Sequence, residues 1–334
     1  MPQLLSAVVK LTTDCPCNCS CCSNRQKQFK NKSTSRIISL SEFDAICRIV
    51  QELGGKYICI SGGEPTLLDT ITEYIFIASA YGIIVRLNTN GYRIKYDRLN
   101  QWLDAGLRQV VISIYGSNQE TVFNLRKNRH LYFRSLDALD ALGRAKKQRN
   151  FILIVQTVLM RENYTQMPLI FELAIKSGAD LFWPSYLEDA VHLDSLRMTK
   201  EDIDLFRAKT IPEWVSIAER YNVANSKMIA EINNIYKDDY SQGLYHLKPT
   251  SCSRIGRHLT FYPGGRIDPC IGHEYFCSQD QLSVNLFDSN CSSVLQHYLM
   301  QMEEHSYPYC SYCPQNVHQA VFIKPEFDEY ESSK

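Results

Sequence analysis

Five cysteines crowd into the segment Cys15-Pro16-Cys17-Asn18-Cys19-Ser20-Cys21-Cys22. Thiolates gathered on so short a loop are the donors that an iron–sulfur cubane needs. Cys15, Cys19 and Cys22 stand in C-x3-C-x2-C spacing, and only this register fits. Starting from Cys17 leads to Cys21 and then to Asn24, which is no thiolate. Three ligands on a [4Fe–4S] cluster leave one iron open, and an open metal position can chelate a substrate, as open zinc sites do. The competing arrangement is a zinc knuckle, with Cys19 and Cys22 joined by the C-x2-C pair Cys310 and Cys313.

Gly62-Gly63-Glu64-Pro65 is the second chemical signal. Glycines let the backbone come close to a ligand, and a carboxylate suits an ammonium group. Alone, such a run reads as a turn. Here it ends a strand-like segment, where parallel α/β folds place their ligands.

The elements that must position these groups alternate between strand and helix. Strands are expected at Leu4–Leu11, Tyr57–Ser61, Ile83–Asn88, Val110–Tyr115, Phe151–Met160 and Leu181–Tyr186. Helices are expected at Ser41–Leu53, Asp69–Tyr81, Tyr96–Ala105, His130–Lys147 and Gln166–Ser177, several stopped by glycine. Such alternation argues for a parallel sheet covered on both faces. It fits an incomplete barrel and a doubly wound open sheet equally.

Beyond residue 190 the rhythm changes. Thr199–Tyr221 and Ser226–Lys237 read as helices, expected to help cover a substrate, and a polar stretch, Asp238–Gly243, follows. From residue 251 the texture is Cys-rich. A hairpin is expected at His258–Tyr262 and Arg266–Asp268 around Pro263-Gly264-Gly265, then a helix near Ser293–Glu304. The residues from Glu326 onward are acidic and polar, a composition that suits a disordered tail. The expected division is 1–190, 191–250 and 251–334.

Composition narrows the class. A chain of 334 residues can hold one large domain and a smaller one. Its 36 basic and 36 acidic residues balance, so no global field draws it to nucleic acid or an anionic membrane. No apolar run reaches the roughly 18 residues that span a bilayer. The start, MPQLLSAVVKLTTD, has no basic n-region and no cleavage site, so a cytoplasmic protein is expected. In that setting thirteen cysteines, five of them between residues 15 and 22, favour metal ligation over disulfides.

The C-x3-C-x2-C run after the first strand, with Gly62–Pro65 after the second, resembles the radical S-adenosylmethionine (SAM) superfamily over residues 1–190. The resemblance implies an α/β fold, a partial (β/α)6 TIM-like barrel. It implies a [4Fe–4S] cluster with an open iron on Cys15, Cys19 and Cys22, bound SAM, and a flavodoxin- or ferredoxin-type reductant. Gly62, Gly63, Glu64 and Pro65 would then meet the amino group of SAM. Asn90, in Asn88-Thr89-Asn90-Gly91, and Ser113 match further SAM-contacting positions, and Arg126 matches an arginine that pairs with the SAM carboxylate. Two departures stand out: Cys21 replaces a residue that is usually apolar or aromatic, and Cys17 is extra.

The C-terminal cysteines resemble the twitch form of the SPASM auxiliary domain. That resemblance implies an auxiliary [4Fe–4S] cluster on Cys252, Cys270, Cys310 and Cys313, although the spacing also permits a four-thiolate zinc site. Cys277 and Cys291 are left over as candidate hydrogen donors, replacement ligands or packing residues.

The chemistry implied is reductive cleavage of SAM to a 5′-deoxyadenosyl radical, which takes a hydrogen atom from the substrate. With an auxiliary cluster as electron acceptor, the leading expectation is oxidation of a small-molecule alcohol, aminocyclitol- or sugar-like. The first strand begins at about residue 4, which leaves no room ahead of it for a leader-binding domain, and this favours a small substrate over a peptide. The alternative is an epimerase or a peptide-modifying enzyme that uses a cysteine thiol as hydrogen donor. A non-enzymatic zinc protein on the same scaffold is the reading of another class.

Overall fold

The computed structural model describes residues 4–22, 37–187, 191–237, 257–268, 284–302 and 321–324. Strand β1 (Ser6–Thr12) leads into the cysteine loop. Helix α1 (Leu40–Glu52) follows, and its start is fixed by a capping box between Ser39 and Glu42. Then come β2 (Tyr57–Gly62), α2 (Ile71–Ala80), β3 (Ile84–Thr89), α3 (Tyr96–Asp104) and β4 (Leu107–Ser113). Two helices, α4 (Gln119–Arg126) and α5 (Leu131–Lys146), precede β5 (Ile152–Val158), α6 (Met167–Lys176) and β6 (Leu181–Ser185).

Each of these strands pairs in parallel with the next one in the chain. A doubly wound sheet would reverse its order at a switch point. Unreversed order is what successive right-handed crossovers give in a barrel. The fold is therefore the α/β partial barrel, and the pairing resolves what alternation alone left open.

Strands from beyond residue 250 extend both edges of this sheet. β7 (His258–Phe261) runs parallel to β1, and β8 (Ile267–Asp268) returns against β7 as the expected hairpin. β9 (Val321–Phe322) lies antiparallel to β6. It is anchored by Asp180, whose fully buried carboxylate meets Lys146 Nζ at 2.7 Å and Lys324 Nζ at 2.6 Å.

The strands bury alternate residues against the helices. Ala7, Val9 and Leu11 of β1, Ile58 and Ile60 of β2, and Val85 and Leu87 of β3 join Phe43, Ile46 and Ile75 in the main core. The opposite faces line the lumen, where Val111, Ile154 and Leu181 form a separate small cluster beside Trp183.

The segment after residue 190 departs from expectation. Helices α7 (Lys200–Leu205), α8 (Ile211–Arg220) and α9 (Ser226–Asn234) form, with a π-helical turn at Phe206–Thr210 joining the first two. They belong to the main core. Trp214 of α8 packs on Phe171 of α6 and Phe182 of β6, at ring distances of 5.6 and 5.3 Å. Phe182 faces outward, so this helix covers the outside of the barrel rather than its mouth. Helix α10 (Cys291–Met302) packs on the same core. The stretch Asp238–Gly243 and the residues from Glu326 lie outside the described residues. Among the described residues no helix is long and apolar enough to cross a membrane.

Candidate active site

The cysteine loop is held from three sides at the C-terminal ends of the strands. From β2, Gly63 N–H donates to Thr12 O at 2.6 Å and Glu64 N–H donates to Asp14 O at 2.7 Å. The two glycines are needed for this approach. Gly62 has φ +122°, and a Cβ on Gly63 would stand 2.1 Å from Asp14 O. From α4, the carbonyls of Arg126 and Leu125 each accept at 2.9 Å, from Asn18 N–H and Ser20 N–H. Asn128 Nδ2 donates to Pro16 O at 2.7 Å. From β3, Asn90 Nδ2 points at Cys17 Sγ at 3.6 Å and Cys15 Sγ at 3.9 Å.

The five cysteines are not equivalent. Cys17 is buried beside Val122 and Leu131. Cys21 packs against a second apolar cluster of Leu125, Met160, Leu187, Leu193 and Leu196. Cys15, Cys19, Cys21 and Cys22 are half-buried, and Cys15 and Cys19 pack against the Cys17 cluster. Among the described residues no three His, Cys, Asp or Glu side chains stand close enough to share one metal ion. In a cubane each thiolate sits on its own iron.

Glu64 is a brace. Its carboxylate is buried and accepts from Thr66 N–H (3.1 Å), Thr66 Oγ1 (2.6 Å), Thr89 Oγ1 (2.6 Å) and Asn90 N–H (2.7 Å). Burial pushes its pKa up, and the hydrogen bonds from Thr66 and Thr89 pull part of the way back. It thereby orders the Thr89-Asn90-Gly91 turn. Pro65 starts a single 3-10 turn behind it.

Ser113 and Arg126 line one crevice together with Tyr115. Arg126 is buried, its guanidinium lies 4.3 Å from the Tyr115 ring, and among the described residues its Nε has no hydrogen-bond partner. Burial works against its charge, yet Cys19, Tyr115, Cys17 and Cys21 around it hold the pKa above the ordinary value. The site residues from β1 to β4 thus gather at one mouth.

The radical SAM superfamily model matches residues 9–174, from β1 through most of α6. The chain is a radical SAM protein. A PqqA peptide cyclase of Bradyrhizobium diazoefficiens is 26% identical to it over 288 residues, 84% of this chain and 70% of the relative. A PqqA peptide cyclase of Rhizobium meliloti is 25% identical over 286 residues, 82% of this chain and 70% of the relative. Among solved structures, SuiB of Streptococcus suis with S-adenosylmethionine bound superposes with a TM-score of 0.64 at 16% identity. That match covers 89% of this chain and 66% of SuiB, so the chain spans about two thirds of that protein's length. SuiB with its precursor peptide SuiA bound gives a TM-score of 0.64 at 17% identity, over 89% of this chain and 65% of SuiB. At such identities the likeness is one of fold.

Radical SAM proteins use a [4Fe–4S] cluster and SAM, and the residues present fit both. The donor set is right for the cluster: half-buried thiols on a docked loop. For SAM, the orphaned Nε of buried Arg126 is a donor that awaits an acceptor.

Several contributors escape a reading of the sequence alone. Thr66, Thr89 and Asn128 act through hydrogen bonds to partners up to 112 residues away. The candidate donor Cys291 sits at the start of α10, buried in the main core, where burial and Asp288 raise its thiol pKa to about 11. Cys252, Cys270, Cys277, Cys310 and Cys313 lie outside the described residues.

Proposed function

We propose that this radical SAM enzyme modifies a peptide. The observation that carries the reading is the similarity to two PqqA peptide cyclases across more than four fifths of the chain. It favours the peptide alternative over oxidation of a small-molecule alcohol. The fold likeness to SuiB is compatible with it.

The cluster and SAM, when bound, supply a 5′-deoxyadenosyl radical for hydrogen abstraction. The chain's own residues do the rest. Cys15, Cys19 and Cys22 hold the cluster. Gly62 and Gly63 dock the cysteine loop against β2, and Glu64 with Pro65 fixes the adjoining turn. Arg126 takes the carboxylate of SAM, a role that suits a guanidinium fork, and Ser113 meets SAM beside it. Asn90 Nδ2 donates toward the cysteine sulfurs. The apolar wall around Cys21 excludes water from the mouth.

In this proposal Cys252, Cys270, Cys310 and Cys313 hold an auxiliary [4Fe–4S] cluster in a C-terminal region from residue 251, joined to the 1–190 core through 191–250. A flavodoxin or ferredoxin in the cytoplasm delivers the electron.

The test is anaerobic turnover of the reconstituted protein with SAM and reductant. The substrates are synthetic peptides matching short reading frames beside the gene, with a panel of aminocyclitols as comparison. A peptide that loses a pair of hydrogens as 5′-deoxyadenosine accumulates supports the proposal. A carbonyl formed only on an aminocyclitol sinks it.

A further inference from the structure

The period of two along each strand assigns the lumen face. Val9 and Leu11 of β1 face the helices, so Val8 and Lys10 face inward. By the same alternation Cys59 and Ser61 of β2 face inward, as do Arg86 and Asn88 of β3. The register pairs Lys10 with Ser61, Val8 with Cys59, and Cys59 with Arg86. Two cations therefore flank one thiol across three adjacent strands. Their effect reaches it: burial pushes the Cys59 thiol up, while Arg86 and Lys10 pull it down.

Among the described residues neither cation meets a carboxylate. Lys10 is only 8% exposed, and among the described residues it has no hydrogen-bond or ion-pair partner. Arg86 gives its Nε to Gln109 Oε1 at 2.7 Å and faces no carboxylate among those residues. Buried lysine is rarely found unpaired, because desolvation disfavours its charge. One layer up, Asn88 Oδ1 is buried with no donor. Among the described residues the lumen thus presents unspent positive charge and, two residues further along β3, an unspent acceptor. A ligand that answers both carries a carboxylate and an N–H group.

We propose that Lys10 and Arg86 form a carboxylate anchor inside the barrel, and that the modified peptide places a glutamate or aspartate side chain there, its backbone N–H directed at Asn88. This rests on the peptide reading above. The ammonium supplies a point charge and the guanidinium its Nη atoms.

The probe is labelled N-acetyl-glutamate N-methylamide, measured by equilibrium dialysis against the reconstituted full chain. Saturable binding is expected, at least about tenfold tighter than that of the matching glutamine derivative, as a charge-assisted contact requires. Lys10→Met and Arg86→Gln should each weaken it by about tenfold or more, and Lys10→Arg should retain most of it. Thermal melts establish that each variant is folded. If Lys10→Met does not fold, Arg86→Gln and the glutamate–glutamine contrast in the parent decide. Equal binding of the two derivatives overturns the proposal, and so does a folded Lys10→Met or Arg86→Gln with parental affinity. Displacement of the probe by saturating SAM also overturns it, because the anchor would then belong to the carboxylate of SAM. Anchor binding without turnover of any peptide leaves the anchor standing and removes the peptide reading. Peptide turnover without probe binding does the reverse.

Discussion

The Glu64 carboxylate accepts the backbone N–H of Asn90 at 2.7 Å and so ties the end of β2 to the end of β3. The same side chain accepts from Thr66 and Thr89, and all of these groups are buried. Glu64→Ala should therefore destabilise the protein even without cofactors. Leaving one buried donor orphaned costs about 1–3 kcal/mol. Urea denaturation of the apo protein measures this, and Glu64→Gln should lose less because it keeps an acceptor. A residue that only met SAM would leave apo stability unchanged.

The contrast among the five cysteines sets a second expectation. Cys15→Ala, Cys19→Ala or Cys22→Ala should abolish both cluster assembly and 5′-deoxyadenosine formation, since each removes a ligand. Cys17→Ala and Cys21→Ala should assemble the cluster, because these two lie outside the C-x3-C-x2-C register and their side chains contact apolar neighbours that an alanine can keep. Iron content and visible absorbance after anaerobic reconstitution discriminate the two sets. A cluster lost in Cys17→Ala but kept in Cys15→Ala would falsify the register.

The same contrast shows what a sequence can and cannot carry. Cysteine spacing, the Gly-Gly-Glu-Pro turn and most strands were legible, because apolar runs and glycines mark them locally. β4 was legible only in part. The apolar pattern starts at Val110, yet the strand begins at Leu107, because Arg108 is exposed and Gln109 turns its amide into a polar lumen. Helix α4 was hidden for a related reason: half of its buried face is Thr121 and Arg126. Lys10 reads as a break in an apolar strand, and only the register with β2 places it inside the barrel. The order of the strands in the sheet, too, depends on pairings between segments far apart in the chain, which no local pattern records.

Cys291 provides a test by pH. Burial, helped by Asp288, lifts its thiol from an ordinary value of 9.0 to about 11. A raised folded-state value means that its contribution to stability is complete below the unfolded value and falls away as pH rises through about 11. The melting temperature of the parent should therefore decline over this window more than that of Cys291→Ala. In the folded protein, iodoacetamide at about pH 8 should also leave Cys291 unmodified, since the thiolate is the nucleophile. Peptide mapping by mass spectrometry reads the result. Rapid labelling of Cys291 would instead mark it as a reactive thiol.

Arg126 separates binding from folding. Its side chain is buried with an Nε that no described residue satisfies, so part of its desolvation is left uncompensated even with the Tyr115 ring against it. Its backbone carbonyl holds Asn18 N–H at 2.9 Å, a contact that a substitution keeps. Arg126→Met should thus leave the apo melting temperature unchanged or raise it, because an apolar chain of similar length fills the space beneath Tyr115. SAM binding should weaken by about 1.5–3 kcal/mol, the worth of a hydrogen bond to a charged group, or roughly ten- to a hundredfold in the dissociation constant. Arg126→Lys should not restore it, because an ammonium lacks the planar fork. Anaerobic calorimetry with SAM and thermal melts of the same preparations measure the two quantities together. A joint fall in melting temperature and SAM affinity would instead mean that Arg126 acts by holding α4 against the cysteine loop.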